Sequence, residues 1–203
     1  MERRRPGPWP LIDAIDAGNS KKVRAFLEAG ANPNLRTDRS QTPLHFAAAR
    51  GDVISAKLLL RYGANTNVQS TSGDTPLHSA VRAAFYGSGS DRPDMVRLLL
   101  KNGADPNLRD DAGETPLHRA CHHPKIAKVL VENGADIGVK ANGGWTPLHF
   151  ATWGGKPELV DFLLKKGGYK TKNRGRKARF VFANPQVRGI FQKYLKKYIG
   201  SSE

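Results

Sequence analysis

The tetrapeptide Thr-Pro-Leu-His occurs four times in the chain, and this repetition limits the possible folds more than any other feature. The copies begin at Thr42, Thr75, Thr115 and Thr146, so their spacings are 33, 40 and 31 residues. Each copy is followed by alanine and then by a run rich in Leu and Val. A period near 33 residues indicates stacked supersecondary units, because one such unit cannot bury its apolar face alone.

Each copy also predicts a pair of helices. The threonine is a favourable helix cap, the proline suits the first helical position, and small residues follow. A more hydrophobic run comes next, as in residues 53–62, and Gly63 is placed to end that second helix in a left-handed conformation. The Gly, Asn and Asp residues after it predict a turn that reaches into the next unit.

This pattern resembles the ankyrin repeat, and the resemblance covers nearly the whole chain. It implies an all-α fold, a solenoid of stacked helix–turn–helix units joined by β-hairpin-like loops. We expect one domain at 9–199, between a basic, proline-rich tail at 1–8 and a short tail at 200–203. The expected units are 9–41, 42–74, 75–114, 115–145, 146–176 and a capping unit at 177–199.

Two units depart from the usual length. The 40-residue unit carries extra residues around 84–93, between its two helices, and their Gly and Ser content predicts a flexible loop. The unit that begins at Thr115 is shorter by two residues at the same junction.

One short segment suggests a metal site, because His118, Cys121, His122 and His123 lie within six residues. The resemblance, however, gives the repeated histidines a structural role in joining neighbouring repeats; these are His45, His78, His118 and His149. Cys121 aligns with small buried positions and acts there as a compact hydrophobe. Two adjacent histidine rings are not a complete zinc ligand set, so we expect neither a metal nor a cofactor.

No catalytic residues are predicted either. The chain contains no Walker A, nucleophile-elbow or His-Glu-x-x-His motif. The prediction is therefore a protein that is not an enzyme.

The resemblance implies a partner surface on the concave face, formed by the turn tips and by the exposed side of each first helix. The aligned candidates are Gln41, Arg50, Asp74, Arg82, Asp111, Glu114, Arg119, His122, His123, Trp145 and Trp153. Exposed Trp is typical of interface hot spots, although both tryptophans would be buried if they packed against the C-terminal cap. Asp74, Asp111 and Glu114, expected at exposed tips, form either an acidic patch for a basic ligand or ordinary solvated charges.

Positive charge accumulates near the C-terminus. The net charge is +15, and residues 165–203 hold twelve Lys or Arg and one acid. The basic patch comprises Lys165, Lys166, Lys170, Lys172, Arg174, Arg176, Lys177 and Arg179. It suits an acidic protein partner, an acidic lipid surface or nucleic acid, or it keeps the end of the solenoid soluble. Because aromatic residues for base stacking are sparse there, we favour the acidic partner or solubility.

The predicted function is a non-catalytic protein–protein interaction scaffold that binds through its concave face as a monomer. One alternative is a nucleic-acid-associated protein that uses residues 165–197, and another is an adaptor that recruits a second protein through its terminal helix. A single cysteine favours a reducing compartment, so the cytoplasm is expected, with the nucleus as the alternative. No apolar run is long enough to span a bilayer.

Overall fold

A computed structural model describes residues 9–86, 93–167, 188–190 and 192–193, with backbone alone for 84–86. The predicted N-terminal tail, most of the loop around 84–93, the basic residues Lys170 to Arg179 and most of the capping unit lie outside the described residues.

Helices come in pairs along the described chain. The inner helices are α1 (Pro10–Asp16), α3 (Pro43–Arg50), α5 (Pro76–Tyr86), α7 (Pro116–Arg119) and α9 (Pro147–Trp153). The outer helices are α2 (Ser20–Glu28), α4 (Val53–Arg61), α6 (Asp94–Lys101), α8 (Pro124–Glu132) and α10 (Pro157–Lys165). Inner helices contact inner neighbours, and outer helices contact outer neighbours, so the repeats stack in two layers. The predicted all-α repeat solenoid is confirmed.

The core runs continuously between the two layers. The leucines of the repeated motif, Leu44, Leu77, Leu117 and Leu148, are buried. Alanines such as Ala47, which is fully buried, allow neighbouring inner helices to approach closely. Each unit therefore completes its core only against the next one, as expected for a solenoid.

The connections between units are hairpin-like turns, as predicted. In the turn before α3, the Thr37 N–H donates to the Gln41 carbonyl at 2.9 Å, and Ser70 and Asp74 repeat this bond before α5. Neighbouring turns also bond to each other, since the Asp111 N–H donates to the Ser72 carbonyl at 3.1 Å. These bonds give the row of turn tips a continuous edge without any regular strand in the described residues.

The two irregular units differ in their inner helices. Helix α5 has 11 residues where α3 has 8, so part of the predicted insertion lengthens the helix. In the shortened unit, α7 has only 4 residues and passes into a single 3-10 turn, Ala120–His122. None of the helices in the described ranges has both the length and the apolar character needed to cross a membrane.

Candidate functional site

The repeated histidines join one unit to the next. In His45, Nδ1 accepts a hydrogen bond from the Thr42 N–H at 3.0 Å, so this nitrogen carries no proton. Nε2 therefore bears the hydrogen and donates to the Asp74 carbonyl of the following turn at 3.0 Å. The neutral ring thus caps the start of its own helix and also bonds to the turn that leads into the next repeat.

The same arrangement recurs at the next two junctions. His78 Nε2 lies 3.2 Å from the Glu114 carbonyl, and His118 Nε2 lies 3.1 Å from the Trp145 carbonyl. Burial lowers the pKa of all three linking rings, and it lowers the pKa of His118 to about 4. Neutral rings that are fully engaged with backbone are suited to fixing structure and not to proton transfer.

An asparagine series, which the sequence reasoning did not assign, makes a second set of links. Asn67 Nδ2 donates to the Gly103 carbonyl at 2.9 Å, and its Oδ1 accepts from the Asp105 N–H at 2.8 Å. Asn34 and Asn107 make the same paired bonds across their junctions. The sequence shows this series as an Asn that follows Gly-Ala-Asn or Gly-Ala-Asp by two residues in three units, which could have predicted these links.

A cluster of charged residues joins the turns at 70–74 and 110–114 to the inner helices of the third and fourth units. Arg119 Nη1 lies 2.9 Å from Asp74 Oδ1, and Arg119 Nε lies 3.4 Å from Glu114 Oε2. Arg119 also pairs with Asp110, and Arg82 Nη1 lies 3.0 Å from Asp74 Oδ2. The cluster therefore joins three carboxylates to two guanidinium groups from successive repeats.

This arrangement corrects the expected acidic patch. The exposure predicted for Asp74 is wrong, because this residue is only 3% exposed and its carboxylate faces two arginines. Glu114 is half-buried, and burial followed by repulsion from Asp110 raises its pKa. Of the three predicted acids, Asp111 lies exposed on its turn. The missed partner, Asp110, directly precedes Asp111 and is buried.

The two tryptophans lie in different environments. Trp145 is half-buried and packs edge-on against Phe150, with ring centroids 5.6 Å apart. Phe150 in turn packs edge-on against His118 at 5.4 Å. Trp153, at the end of α9, is 65% exposed. Only Trp153 therefore presents most of its ring to solvent.

His122 and His123 are half-buried at the end of the shortened inner helix. The His122 ring packs so closely on the next repeat that a Cβ added at Gly154 would lie 2.8 Å from its Cε1. Burial and the nearby Lys156 charge lower the pKa of His122.

Cys121 beside them is buried, and burial raises the pKa of its thiol to about 12. A thiol that stays protonated is a poor metal ligand and a poor nucleophile. In the part of the chain that the structure describes, no three His, Cys, Asp or Glu side chains are grouped as a metal site would need.

The remaining predicted residues are Gln41, Arg50 and the basic patch. Gln41 is half-buried, whereas Arg50 is exposed and lies 3.9 Å from the Asp16 carboxylate. Of the basic patch, Lys165 and Lys166 are described; both are exposed on or beside α10. Lys165 Nζ lies 2.5 Å from Asp161 Oδ2, so this lysine is paired within its own helix.

Comparison with known proteins agrees with this architecture. A family model described as ankyrin repeats (3 copies) matches residues 11–110 and 82–174. The chain is 48% identical over 44 residues to ankyrin repeat domain-containing protein 46 of Danio rerio, which is 22% of this chain and 19% of that protein. For the protein of the same name from Rattus norvegicus, identity is 46% over 44 residues, again 22% and 19%. The chain thus matches about a fifth of the length of these relatives.

Proposed function

Because the chain belongs to the ankyrin-repeat family, whose repeats are generally protein–protein interaction modules, we propose that it binds a partner protein through its concave face, without catalysis. That face is formed by the hairpin tips and by the exposed sides of the inner helices.

The observation that carries this proposal is the exposure of Trp153. A ring that is 65% exposed leaves a large apolar surface in water, which is costly unless a partner covers it. Trp is also among the residues that contribute most to binding energy at interfaces. Trp153 is the last residue of the inner helix α9 and one of the residues predicted to contact a partner, which supports the proposal.

Other residues of the predicted partner surface are held in place by contacts within the protein. Phe150 and Trp145 are held by edge-on ring contacts, and Arg119 is held by carboxylates on two turns. Side chains that are already fixed lose little conformational entropy when a partner binds. The concave face therefore combines one exposed aromatic anchor with preorganised surroundings.

The test is affinity capture from cell extract, followed by mass spectrometry, with three forms of the chain. We expect Trp153→Ala to lose proteins that the wild type retains, with an affinity loss of about tenfold or more. Glu132→Ala, which removes an exposed side chain at the end of α8, is the matched control and should retain them.

A photo-reactive amino acid at position 153 should also cross-link to the captured protein, whereas one at position 132 should not. Equal capture by both alanine variants would overturn the concave-face proposal. Loss of every captured protein after nuclease treatment would favour the nucleic-acid alternative instead.

A further inference from the structure

The outer helices carry a row of cations in repeat register. A glycine follows each of the first four outer helices, and the residue six positions before that glycine is always basic. These residues are Arg24, Lys57, Arg97 and Lys128. The first three are exposed, and Lys128 is half-buried. Because neighbouring outer helices contact each other, these equivalent positions form a line across the solenoid.

A second pair of cations widens this row at its centre. Arg61 follows Lys57 by four residues in α4, and Lys101 follows Arg97 by four residues in α6. Residues four apart in a helix lie on the same side. We call Arg24, Lys57, Arg61, Arg97 and Lys101 the outer basic face; all five are exposed.

Two exposed acids share this face and offset part of its charge, because Glu28 follows Arg24 by four residues and Asp94 precedes Arg97 by three. Within the described ranges, no carboxylate lies at ion-pair distance from any of its five members. Lys128, by contrast, is paired with Glu158 at 2.5 Å. The exposed acids nearest in the helical pattern are Asp94 at the start of α6 and Glu28 at the end of α2. Like charges four residues apart disfavour the helix slightly, whereas Arg61 and Lys101 lie in the last turns of α4 and α6, where a cation stabilises the helix end.

An exposed apolar side chain lies within the same face. Ile54 is 62% exposed and precedes Lys57 by three residues, so it shares the same side of α4. The equivalent positions in the other outer helices are charged: Lys21, Asp94, Lys125 and Glu158. An isoleucine in place of a charge, three residues from the unpaired Lys57, suits a contact that is both apolar and electrostatic.

We propose that the outer basic face is a second interaction surface, which binds an acidic protein segment with an aliphatic or aromatic side chain that covers Ile54. The unpaired cations are complementary to an acidic ligand, and the exposed isoleucine favours a polypeptide over a nucleic acid, whose backbone would contact only the cations. Helices pack about 8–10 Å apart, so the row from Arg24 to Arg97 spans about 16–20 Å, or about six extended residues. This surface lies on the opposite layer from Trp153 and does not depend on the concave-face proposal.

Fluorescence anisotropy with labelled peptides of about 12 residues, in about 0.15 M salt, tests this surface directly. The first peptide alternates Glu with Leu, the second replaces each Leu by Gly, and a single-stranded oligonucleotide of equal charge is the third probe. We expect the 203-residue chain to bind the Glu/Leu peptide at least about fivefold more tightly than either other probe. The double variant Lys57→Glu/Arg97→Glu should weaken that binding about tenfold or more, and Ile54→Ser about threefold or more.

The matched control is Arg36→Glu/Lys140→Glu, which changes the net charge equally at exposed residues on the turns. It should alter binding of the Glu/Leu peptide by less than about twofold. Equal weakening by both double variants would show attraction to overall charge and would overturn the proposal. Tighter binding of the oligonucleotide, unaffected by Ile54→Ser, would also overturn it and would point to nucleic acid. Trp153→Ala should leave peptide binding unchanged, which separates this test from that of the concave face.

Discussion

Asp74 and Arg119 come from different repeats, and their side chains meet at 2.9 Å. Asp74 precedes the third unit, whereas Arg119 lies in the inner helix of the fourth. Since Asp110 and Glu114 also reach this guanidinium, Arg119 compensates charges on two consecutive turns.

Removal of Arg119 should therefore be costly. Arg119→Ala leaves the buried Asp74 and Asp110 carboxylates with fewer partners, and we expect a loss of about 2–4 kcal/mol in the free energy of unfolding. Arg82→Ala is the control, because the Arg82 side chain is 40% exposed and pairs with Asp74 alone; it should cost at most about 1 kcal/mol. Urea unfolding measures both values, and equal losses would contradict the bridging role of Arg119.

The asparagine series predicts a stabilising substitution. Gly138 occupies the position of Asn34, Asn67 and Asn107, so the link to the last described repeat lacks its asparagine. Gly138→Asn should restore bonds toward Gly167 and raise the free energy of unfolding by about 1 kcal/mol. Gly138→Ala, which reduces backbone freedom without adding the amide, is the control and should gain less. Asn107→Ala should cost about 1–2 kcal/mol in the same urea assay.

The linking histidines predict a loss of stability on mild acidification. Their folded-state pKa values lie below the ordinary value of 6.5, so protons bind preferentially to the unfolded chain. Their contribution is complete above about pH 6.5 and is lost as the pH falls toward the folded-state pKa. For His118, with a folded-state pKa of about 4, the loss is about 1 kcal/mol by about pH 5.5 and about 3 kcal/mol by about pH 4.

Urea midpoints between about pH 7.5 and 5.5 measure this effect, since the raised pKa of Glu114 acts with opposite sign and mainly at lower pH. His118→Gln should be less stable than the wild type at about pH 7.5 and should show a shallower pH dependence. A wild-type stability that does not change across this range would contradict neutral linking rings.

Two glycines with similar backbones should respond differently to alanine. Gly73 and Gly63 have φ of 75° and 83°, but a Cβ at Gly73 would lie 2.7 Å from Asp110 Cα, whereas nothing lies within 4 Å of one at Gly63. Gly63→Ala should therefore cost about 1–2 kcal/mol for the left-handed conformation alone. Gly73→Ala should cost about 2 kcal/mol more, because adjacent hairpin tips must separate. Equal thermal shifts in calorimetry would contradict close packing of the tips.

The motif residues were readable in the sequence because their roles are local or repeat at a fixed period. Thr42 and His45 lie one helical turn apart, and the spacing to Thr75 set the stacking of units. The Asp74–Arg119 ion pair could not be predicted from such a pattern, because it depends on how far the neighbouring turns project over the inner helices. Alignment on the motif placed Asp74 at an exposed tip, yet its backbone carbonyl serves His45 and its side chain turns inward.

The burial of the aromatic side chains could not be predicted from the sequence pattern either. Trp145 and Trp153 both aligned with recognition positions, but only Trp153 remains mostly exposed. The difference arises from Phe150, whose ring packs on Trp145. Shortening of the fourth unit was visible as two missing residues, whereas the close approach of His122 to Gly154 was not.

The histidine bonds reach the turn that leads into the following unit, and the asparagine bonds reach the following unit itself, so the same junction is repeated along the chain. Deletion of residues 42–74, one full 33-residue period, would bring Asn34 opposite Gly103 in the role that Asn67 now has. Length can therefore change by whole units during evolution without a new type of junction. The junction around Arg119 is different, because it depends on ion pairs between this arginine and carboxylates on two consecutive turns. A unit that lacked these charged residues could not replace the one found there.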